Sequence, residues 1–323
     1  MRVMVLGATG FIGPAVLRRL AALGHEALAV SRHPIEGSGS LRGDRGDPGA
    51  IARLAGEQRI EAVIDLIAYT AAATEPLLQA LAGNVGRYVL ASSGDVYRQA
   101  DGWRRKPGAG PPLARLTEDA PLRTNPHPYR GERPRAPDDP QAWMDDYDKI
   151  PIERAALAQP GLEAAVVRLP MVFGPGDRNR RFGWAIGPML AGRPAIEVDA
   201  QWAAWRSTYG YVDDVAHAPA LAAVHPAAAG RIFNAGPSDT PDHAAWAGRL
   251  ARLIGWRGEL RRVARQDVPQ PLRGALDGLD LSYPLAMDTR RIRAELGYAE
   301  ITAPDEALAR TIADERSRAQ FKS

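Results

Sequence analysis

The chain has 323 residues, 45% of them hydrophobic, which is enough for one large or two ordinary domains with a sizeable core. No run of 18 apolar residues and no basic-then-apolar leader occurs, so we expect a soluble, cytoplasmic protein without a membrane partner. The lack of cysteine excludes disulfides, thiolate metal sites and a cysteine nucleophile, and a net charge of +3 argues against nucleic acid as a partner.

The N-terminal segment follows the pattern of a dinucleotide-binding turn. The apolar run Val3-Met4-Val5-Leu6 predicts a strand, which leads into Gly7-Ala8-Thr9-Gly10-Phe11-Ile12-Gly13 and a helix from Pro14 to Leu23. Glycines let such a turn approach a pyrophosphate, and the helix N-terminus supplies free N–H groups and partial positive charge. We therefore predict a nucleotide site, the alternative being an ordinary tight turn between a strand and a helix.

The end of the second predicted strand bears on the choice of cofactor. This strand covers Glu26–Val30 and is followed by Ser31-Arg32-His33, where no carboxylate occurs. In dinucleotide folds an acidic residue here accepts from the ribose 2′-hydroxyl of NAD, whereas an arginine accommodates the 2′-phosphate of NADP. Arg32 favours NADP over NAD, unless its side chain is only solvated and the ribose is held in another way.

Strands and helices alternate through the first half of the chain. Helices are predicted near Ala50–Gly56 and Thr74–Ala82, and strands near Ser40–Gly43, Glu61–Ala68 and Arg87–Ser93. This alternation predicts an α/β fold with a doubly wound parallel sheet, in which the carboxyl ends of the strands line one ligand crevice. The residues at those ends are Gly7, Ser31, Ala68 and Ser93.

A proline-rich stretch between Asp101 and Pro140 interrupts the pattern. It contains nine of the 27 prolines and has no sustained hydrophobic period. A loop this long inside a compact domain is unusual and tends to be functional. Two interpretations remain open: a cover near the active site and a surface insertion without a role.

Regular patterns resume after this stretch. A helix is predicted over Asp145–Gln159 and a strand over Glu163–Leu169. The remaining predicted elements are a helix over Tyr211–Val224, a strand over Arg231–Gly236, and helices over His243–Gly255, Asp288–Leu296 and Asp305–Arg318.

Lysine is scarce, since only Lys106, Lys149 and Lys322 are lysines among 41 basic residues. Where arginine is the default, a lysine in mid-chain suggests a compact ammonium that tunes the pKa of a neighbour. Lys149 is the candidate, the alternative being a simple ion pair on its helix with Glu153 or Asp145.

Six motifs, taken together and in order, give the chain a family resemblance. It resembles the extended short-chain dehydrogenase/reductases, the NAD-dependent epimerase/dehydratase family, over most of its length. The motifs are Gly7-Ala8-Thr9-Gly10-Phe11-Ile12-Gly13, Ser92-Ser93-Gly94-Asp95-Val96-Tyr97, Lys149-x-x-x-Glu153, Arg168-Leu169-Pro170 with Gly174-Pro175-Gly176, Tyr211-Val212-Asp213-Asp214-Val215-Ala216, and Phe233-Asn234-Ala235-Gly236.

The resemblance implies a Rossmann-like NAD(P)-binding domain over residues 1–169 and a smaller C-terminal α/β substrate domain over residues 170–323. The segment near 208–236 would return to the first domain. It also implies a homodimer, formed through the helices around Thr74–Ala82 and Asp145–Gln159.

One departure from the family pattern concerns the catalytic tyrosine. The family signature is Tyr-x-x-x-Lys, but Asp145 stands four residues before Lys149 and Tyr147 only two residues before it. Positions i and i+2 of a regular helix point to nearly opposite sides, so Tyr147 cannot take the usual place on such a helix. It can do so only if the helix begins after it.

The chemistry makes this departure important. The family tyrosine exchanges a proton with a substrate hydroxyl, and the adjacent lysine lowers the pKa of the phenol. An aspartate beside Lys149 would be a poor base for an alcohol. Ser93 matches the family's catalytic Ser/Thr, and Asp95 lies where sugar dehydratases carry an acid/base glutamate, unless both residues only cap the turn.

The candidate site residues fall into three groups, and no metal site is predicted. The catalytic candidates are Ser93, Asp95, Tyr147 and Lys149. The cofactor-binding candidates are Gly7, Thr9, Gly10, Phe11, Ile12, Gly13, Ser31, Arg32, Asp44, Ala68, Lys149 and Pro170. The substrate-binding candidates are Ser93, Asp95, Arg181 and Arg206.

These features favour an NAD(P)-dependent epimerase, dehydratase or reductase that acts on a sugar-like or polyol-like metabolite. The alternative is a redox-inactive NADP(H)-binding sensor or interaction protein of the same fold. An RNA-binding relative is a third option, against which the near-neutral charge weighs.

Overall fold

The computed structural model describes residues 1–34, 40–132, 134–136, 138–139 and 141–320. Three residues of the proline-rich stretch (133, 137 and 140) and Lys322 lie outside the described residues. The strands are β1 (Arg2–Leu6), β2 (Glu26–Ser31), β3 (Leu41–Arg42), β4 (Ala62–Asp65), β5 (Arg87–Ser93), β6 (Glu163–Leu169), β7 (Met171–Phe173), β8 (Ala195–Asp199), β9 (Tyr209–Tyr211), β10 (Ile232–Asn234) and β11 (Glu259–Val263). The helices are α1 (Gly13–Ala22), α2 (Pro48–Glu57), α3 (Ala71–Leu81), α4 (Arg98–Trp103), α5 (Lys149–Ala158), α6 (Gly183–Leu190), α7 (Ala200–Ala204), α8 (Val212–Val224), α9 (His243–Ile254), α10 (Leu272–Leu276), α11 (Arg290–Leu296) and α12 (Pro304–Gln320).

A parallel sheet with helices on both faces organises the first two thirds of the chain. In the described residues its strand order is β10-β6-β5-β4-β1-β2-β3. Alternate residues of the central strands pack against α1 and α8 on one face and against α2, α3 and α5 on the other. Burial on both faces explains why these strands are continuous apolar runs rather than alternating ones. The predicted doubly wound α/β fold is therefore confirmed.

The C-terminal part packs beside the carboxyl ends of this sheet. It contains two further parallel strand pairs, β7 with β9 and β8 with β11. The segment near 208–236 does contribute β10, which pairs with β6 at the edge of the large sheet. The exact domain boundary at residue 169 stays a prediction. None of the helices in the described part combines the length and apolar character that a bilayer span requires.

The predicted start of the helix before β6 is wrong. Residues 142–145 form a separate 3₁₀ turn, and α5 begins at Lys149. The Asp148 side chain accepts a hydrogen bond from the Ile150 N–H at 3.1 Å and thereby caps the helix. Tyr147 consequently lies before the helix. A second difference is α4, a short helix at the start of the proline-rich stretch that the sequence did not predict.

A buried ion pair fixes α5 against the sheet. Arg168 of β6 donates from Nε and Nη2 to the Glu153 carboxylate at 3.0 and 2.7 Å, and Ser92 of β5 donates to the same carboxylate at 2.5 Å. The Arg168 and Glu153 side chains are 2% and 4% exposed. Since Glu153 lies one turn after Lys149, this pair holds the N-terminal turn of α5 at the carboxyl end of β5.

We predict that Glu153→Gln destabilises the protein strongly. The substitution leaves the buried Arg168 guanidinium without its counter-charge, which costs about 3–5 kcal/mol. Denaturant unfolding measures the loss. The control is Asp305→Asn, which breaks the exposed pair with Arg252 and should leave the unfolding midpoint unchanged. Equal effects of the two substitutions would contradict this role of Glu153.

Candidate functional site

The glycine-rich turn between β1 and α1 is packed so tightly that side chains are excluded. Gly7 adopts a positive φ of 83°, and a Cβ there would lie 2.7 Å from Cγ2 of Ile67. A Cβ on Gly13 would lie 2.4 Å from the carbonyl oxygen of Ala8. The N–H of Gly10 donates to the carbonyl of Gly7 at 3.0 Å and closes the turn. Only glycine fits at these positions, as in a turn that brings backbone close to a phosphate.

The N-terminus of α1 has the free donors that a pyrophosphate requires. No side chain caps it, and Pro14 occupies its first turn. Thr9, Gly10 and Phe11 line a cleft of about 1030 Å³ in front of these donors. The sequence-predicted phosphate site therefore has the backbone shape and helix dipole that suit a dinucleotide.

The cofactor-binding candidates Ser31, Arg32 and Asp44 lie at the ends of β2 and β3. Arg32 is exposed and forms no ion pair among the described residues, while Ser31 Oγ accepts from the His33 N–H at 3.3 Å. Asp44 is also exposed, and one of its carboxylate oxygens accepts from the Gly46 N–H at 2.8 Å. Both side chains remain accessible to a cofactor.

Tyr147 lies with Ser93 and Asp95, although it stands only two residues before Lys149. Because α5 starts after it, the rule for residues on one helix does not apply, and the preceding turn carries the ring into the site. The side chain is buried. Burial and the charge of Asp95 raise the pKa of the Tyr147 hydroxyl well above its ordinary value, while a hydrogen bond with Ser93 partly offsets this.

Lys149 is buried behind Tyr147 and makes neither of the predicted alternative ion pairs. Its Nζ donates to the carbonyls of Ala68 and Ala91 at 2.6 and 2.7 Å and lies 5.8 Å from the centre of the Tyr147 ring. An ammonium has three donors, and the third has no hydrogen-bond partner among the described residues. Asp145 instead accepts from Arg135 at 2.5 Å. The aspartate in the family's tyrosine position is therefore not the partner of Lys149.

Asp95 has one occupied and one free carboxylate oxygen. Oδ2 accepts a hydrogen bond from the Tyr129 hydroxyl at 2.8 Å. Oδ1 is buried and has no hydrogen-bond partner among the described residues. A buried acceptor without a partner is costly, and in a site it indicates a group waiting for a ligand or a proton.

A cavity of about 240 Å³ opens beside Ser93 and Asp95. Two further candidates line it, Arg181 from the substrate-binding group and Pro170 from the cofactor-binding group, whereas Tyr147 and Lys149 do not. Arg206 does not line it either: it is exposed, and its guanidinium contacts the carbonyl of Thr240 at 3.5 Å. The other lining residues are Gly94, Ala100, Trp103, Arg104, Leu116, Tyr129, Leu169, Met171, Ser207, Thr208, Leu285 and Met287.

Sequence reasoning missed the contribution of the proline-rich stretch. Trp103, Arg104, Leu116 and Tyr129 all come from it and all line the cavity. Of the two interpretations left open, this lining favours a cover near the site over a surface insertion without a role. No spacing rule identifies these residues, because loops without a period carry no local signal for which side chain points inward.

We predict a pH-dependent contribution of Lys149 to stability. Burial lowers the pKa of its ammonium from 10.5 to about 8. Between these values the unfolded chain binds more protons than the native one, so the free energy of unfolding rises with pH. The unfolding free energy of wild type minus that of Lys149→Met should increase by about 2 kcal/mol from about pH 7.5 to 9.5. The control is Lys106→Met, an exposed site where the difference from wild type should not change with pH. A difference that is also constant for Lys149→Met would contradict the prediction.

The site can now be compared with known proteins. A model of the NAD-dependent epimerase/dehydratase family matches residues 3–129 and 144–236. Over 219 residues the chain is 30% identical to 2′-dehydrokanamycin reductase of Streptomyces kanamyceticus, a match that covers 64% of this chain and 53% of that relative. The chain thus spans about half the length of the curated relative it matches.

Solved structures share the fold along the whole chain. One is MoeE5 in complex with UDP-glucuronic acid and NAD, with a TM-score of 0.66, 23% identity, and coverage of 98% of this chain and 100% of that one. Another is DesIV, a dTDP-glucose 4,6-dehydratase from Streptomyces venezuelae with NAD and TYD bound, with a TM-score of 0.67, 22% identity, and coverage of 99% and 98%. Since the family model spans both the glycine-rich turn and the Ser93–Lys149 site, the chain belongs to the NAD-dependent epimerase/dehydratase family.

Proposed function

We propose that the protein is an NAD(P)-dependent epimerase, dehydratase or reductase that acts on a sugar-like or polyol-like metabolite. The observation that carries this proposal is the position of Tyr147 beside Ser93 and Asp95, with Lys149 behind its ring. A buried tyrosine, a carboxylate and a cation gathered beside the cavity that Ser93 and Asp95 line are typical of a catalytic site rather than of a chain that has lost its chemistry.

In the proposed reaction Tyr147 is a proton donor. Burial and the charge of Asp95 raise the pKa of its hydroxyl and so keep the proton on it, and the proton passes to the substrate oxygen as the carbonyl becomes an alkoxide, which is more basic than the phenolate. Ser93 holds the same oxygen by a hydrogen bond. When bound, the nicotinamide supplies hydride transfer. The Lys149 cation lies close enough to stabilise the negative charge that Tyr147 acquires once its proton has left.

Asp95 supplies the acid–base chemistry that epimerisation or dehydration needs. Asp95 lines the cavity, and its buried Oδ1 has no hydrogen-bond partner among the described residues, so this oxygen is the candidate to remove a proton from the carbon beside a substrate carbonyl. The hydrogen bond from Tyr129 to Oδ2 fixes the carboxylate, so that the free oxygen keeps one direction. A simple reductase would not require this carboxylate.

The proposed cofactor is NADP, with NAD as the alternative. The glycine-rich turn and the uncapped α1 would hold the pyrophosphate, and Arg32 would bind a 2′-phosphate. Lys149 has one ammonium proton left for the nicotinamide ribose. The neighbours with NAD bound support a nicotinamide cofactor in general and do not distinguish the two forms.

We predict that the protein binds NADPH more tightly than NADH and that Gly13→Ala abolishes both. The new Cβ would clash with backbone of Ala8, so the turn must shift away from its phosphate-binding shape. Nicotinamide fluorescence measures binding. The control is Gly56→Ala in α2, where a Cβ meets no atom within 4 Å and binding should persist. Absence of binding to wild type would refute the enzyme proposal.

We predict that Tyr147→Phe lowers turnover by about 10²–10⁴-fold, the usual worth of a positioned proton donor. Asp145→Asn should change turnover little, because Arg135 holds that side chain away from Lys149. The readout is chromatography of UDP-glucose, UDP-glucuronic acid and dTDP-glucose incubated with enzyme and NAD⁺ or NADP⁺, and of free ketosugars incubated with enzyme and NADPH. If Asp145→Asn were the inactive variant, the tyrosine assignment would be wrong. If cofactor binds and no sugar turns over, the redox-inactive sensor becomes the better interpretation.

A further inference from the structure

Arg104 is a nearly buried guanidinium that the proposed chemistry does not use. It follows α4, and its side chain is 12% exposed. The guanidinium lies 5.1 Å from the ring centre of Trp103 and 5.0 Å from that of Tyr129. Among the described residues no atom accepts a hydrogen bond from this guanidinium. The nearest carboxylate oxygen, on Glu132, is 3.8 Å away and beyond hydrogen-bond distance.

This arrangement leaves strong donors without acceptors. A guanidinium has five N–H groups, and stacking on aromatic faces stabilises its charge without satisfying any of them. None of the Arg104 nitrogens is among the fully buried side-chain atoms without a partner, so these donors keep an opening through which water or a ligand can accept from them. Because Arg104 lines the cavity, their partners are to be sought in what the cavity binds.

A second arginine faces the same space. Arg181 uses its Nε on the carbonyl of Val172 at 3.1 Å and forms no ion pair within the described part of the chain. The one carboxylate among the cavity-lining residues, Asp95, already accepts from Tyr129. The cavity therefore presents two guanidinium groups against one partly engaged carboxylate, which favours an anion over a cation.

Tyr129 lies between the Arg104 guanidinium and the proposed reacting groups. Its hydroxyl binds Asp95, and its ring face carries Arg104. The arginine is thus about one aromatic ring away from the proton-transfer residues. Because Arg104 and Asp95 line the same small cavity, the charge that Arg104 binds is to be sought on the reacting unit itself.

We propose that Arg104 and Arg181 bind an acidic group, a carboxylate or a phosphate, on the sugar-like unit that reacts at Ser93, Asp95 and Tyr147. This inference rests on the proposed function of the site and names its substrate class, an acid sugar. Trp103, stacked beneath Arg104, gives the site its own fluorescence probe.

The test compares ligands that share one ring and differ in charge. D-glucuronate, glucose 6-phosphate, D-glucose and D-glucosamine are titrated into NADPH-loaded protein and into protein without cofactor, with tryptophan fluorescence and calorimetry as readouts. We expect one of the two acids to bind about tenfold more tightly than glucose, and glucosamine to bind most weakly. Which acid binds distinguishes a carboxylate from a phosphate.

The variants isolate the arginine. Arg104→Gln should erase the preference for the acid, and Arg104→Lys, which keeps the charge but loses the planar donor set, should retain only part of it. Arg105→Gln is the control: it removes the same charge at the next residue, which is exposed and contacts the carbonyl of Leu279. A second variant, Arg181→Gln, reports on the same anion and leaves the contacts of Arg104 with the Trp103 and Tyr129 rings in place.

Several results would overturn the proposal. They are equal binding of acid and neutral sugar, tightest binding of glucosamine, no binding of either acid at millimolar concentration, or an unchanged preference in both Arg104→Gln and Arg181→Gln. NADPH binding is measured separately by nicotinamide fluorescence. Loss of the anion preference with intact NADPH binding would refute only this inference, whereas loss of NADPH binding would refute the proposed enzyme.

Discussion

The Asp148 carboxylate is the point on which the geometry of the site depends. It caps α5 at the Ile150 N–H, and it also accepts from Arg123 at 2.5 Å and from the His127 N–H at 3.4 Å. The last two residues belong to the proline-rich stretch. One carboxylate thus fixes the first residue of α5 and anchors the cover over the cavity. Arg123 also donates to the backbone carbonyl of Asp95 at 3.1 Å. One connected network of hydrogen bonds therefore holds the cover, the helix and the turn after β5.

The beginning of α5 decides which chemistry is available. If the helix started at Asp145, Tyr147 and Lys149 would point to different sides, and an aspartate would face the lysine. Starting at Lys149, it leaves Tyr147 in the preceding turn, free to lie against Ser93. We propose that the backbone, through this later helix start, compensates for the departure from the family motif.

A buried polar network supports this site from below. Arg168 donates to the Tyr97 hydroxyl at 3.0 Å, and that hydroxyl donates to Asn234 at 2.6 Å. The ion pair of Arg168 with Glu153 extends the network from α5 across β6 to β10. Such networks add little net stability compared with an apolar core, but every member must stay in place once it is buried. The network therefore fixes the positions of its side chains, and a site that works through hydrogen bonds of defined length requires such fixed positions.

The sequence by itself determined the parts whose signals are local. The glycine-rich turn, the buried strands and the doubly wound order follow from residue types and short-range periodicity, and the structure confirms them. Ser93, Asp95 and Lys149 could be named because a strand end and a helix motif place them. Tertiary structure decided the remainder. Whether Tyr147 reaches Ser93 depended on a cap that also pairs with a distant arginine, and no spacing rule contains that contact. Tyr129 and Arg104 come from an aperiodic stretch, and Arg206 turns outward to the Thr240 carbonyl, because long-range packing rather than local propensity sets where loop side chains point.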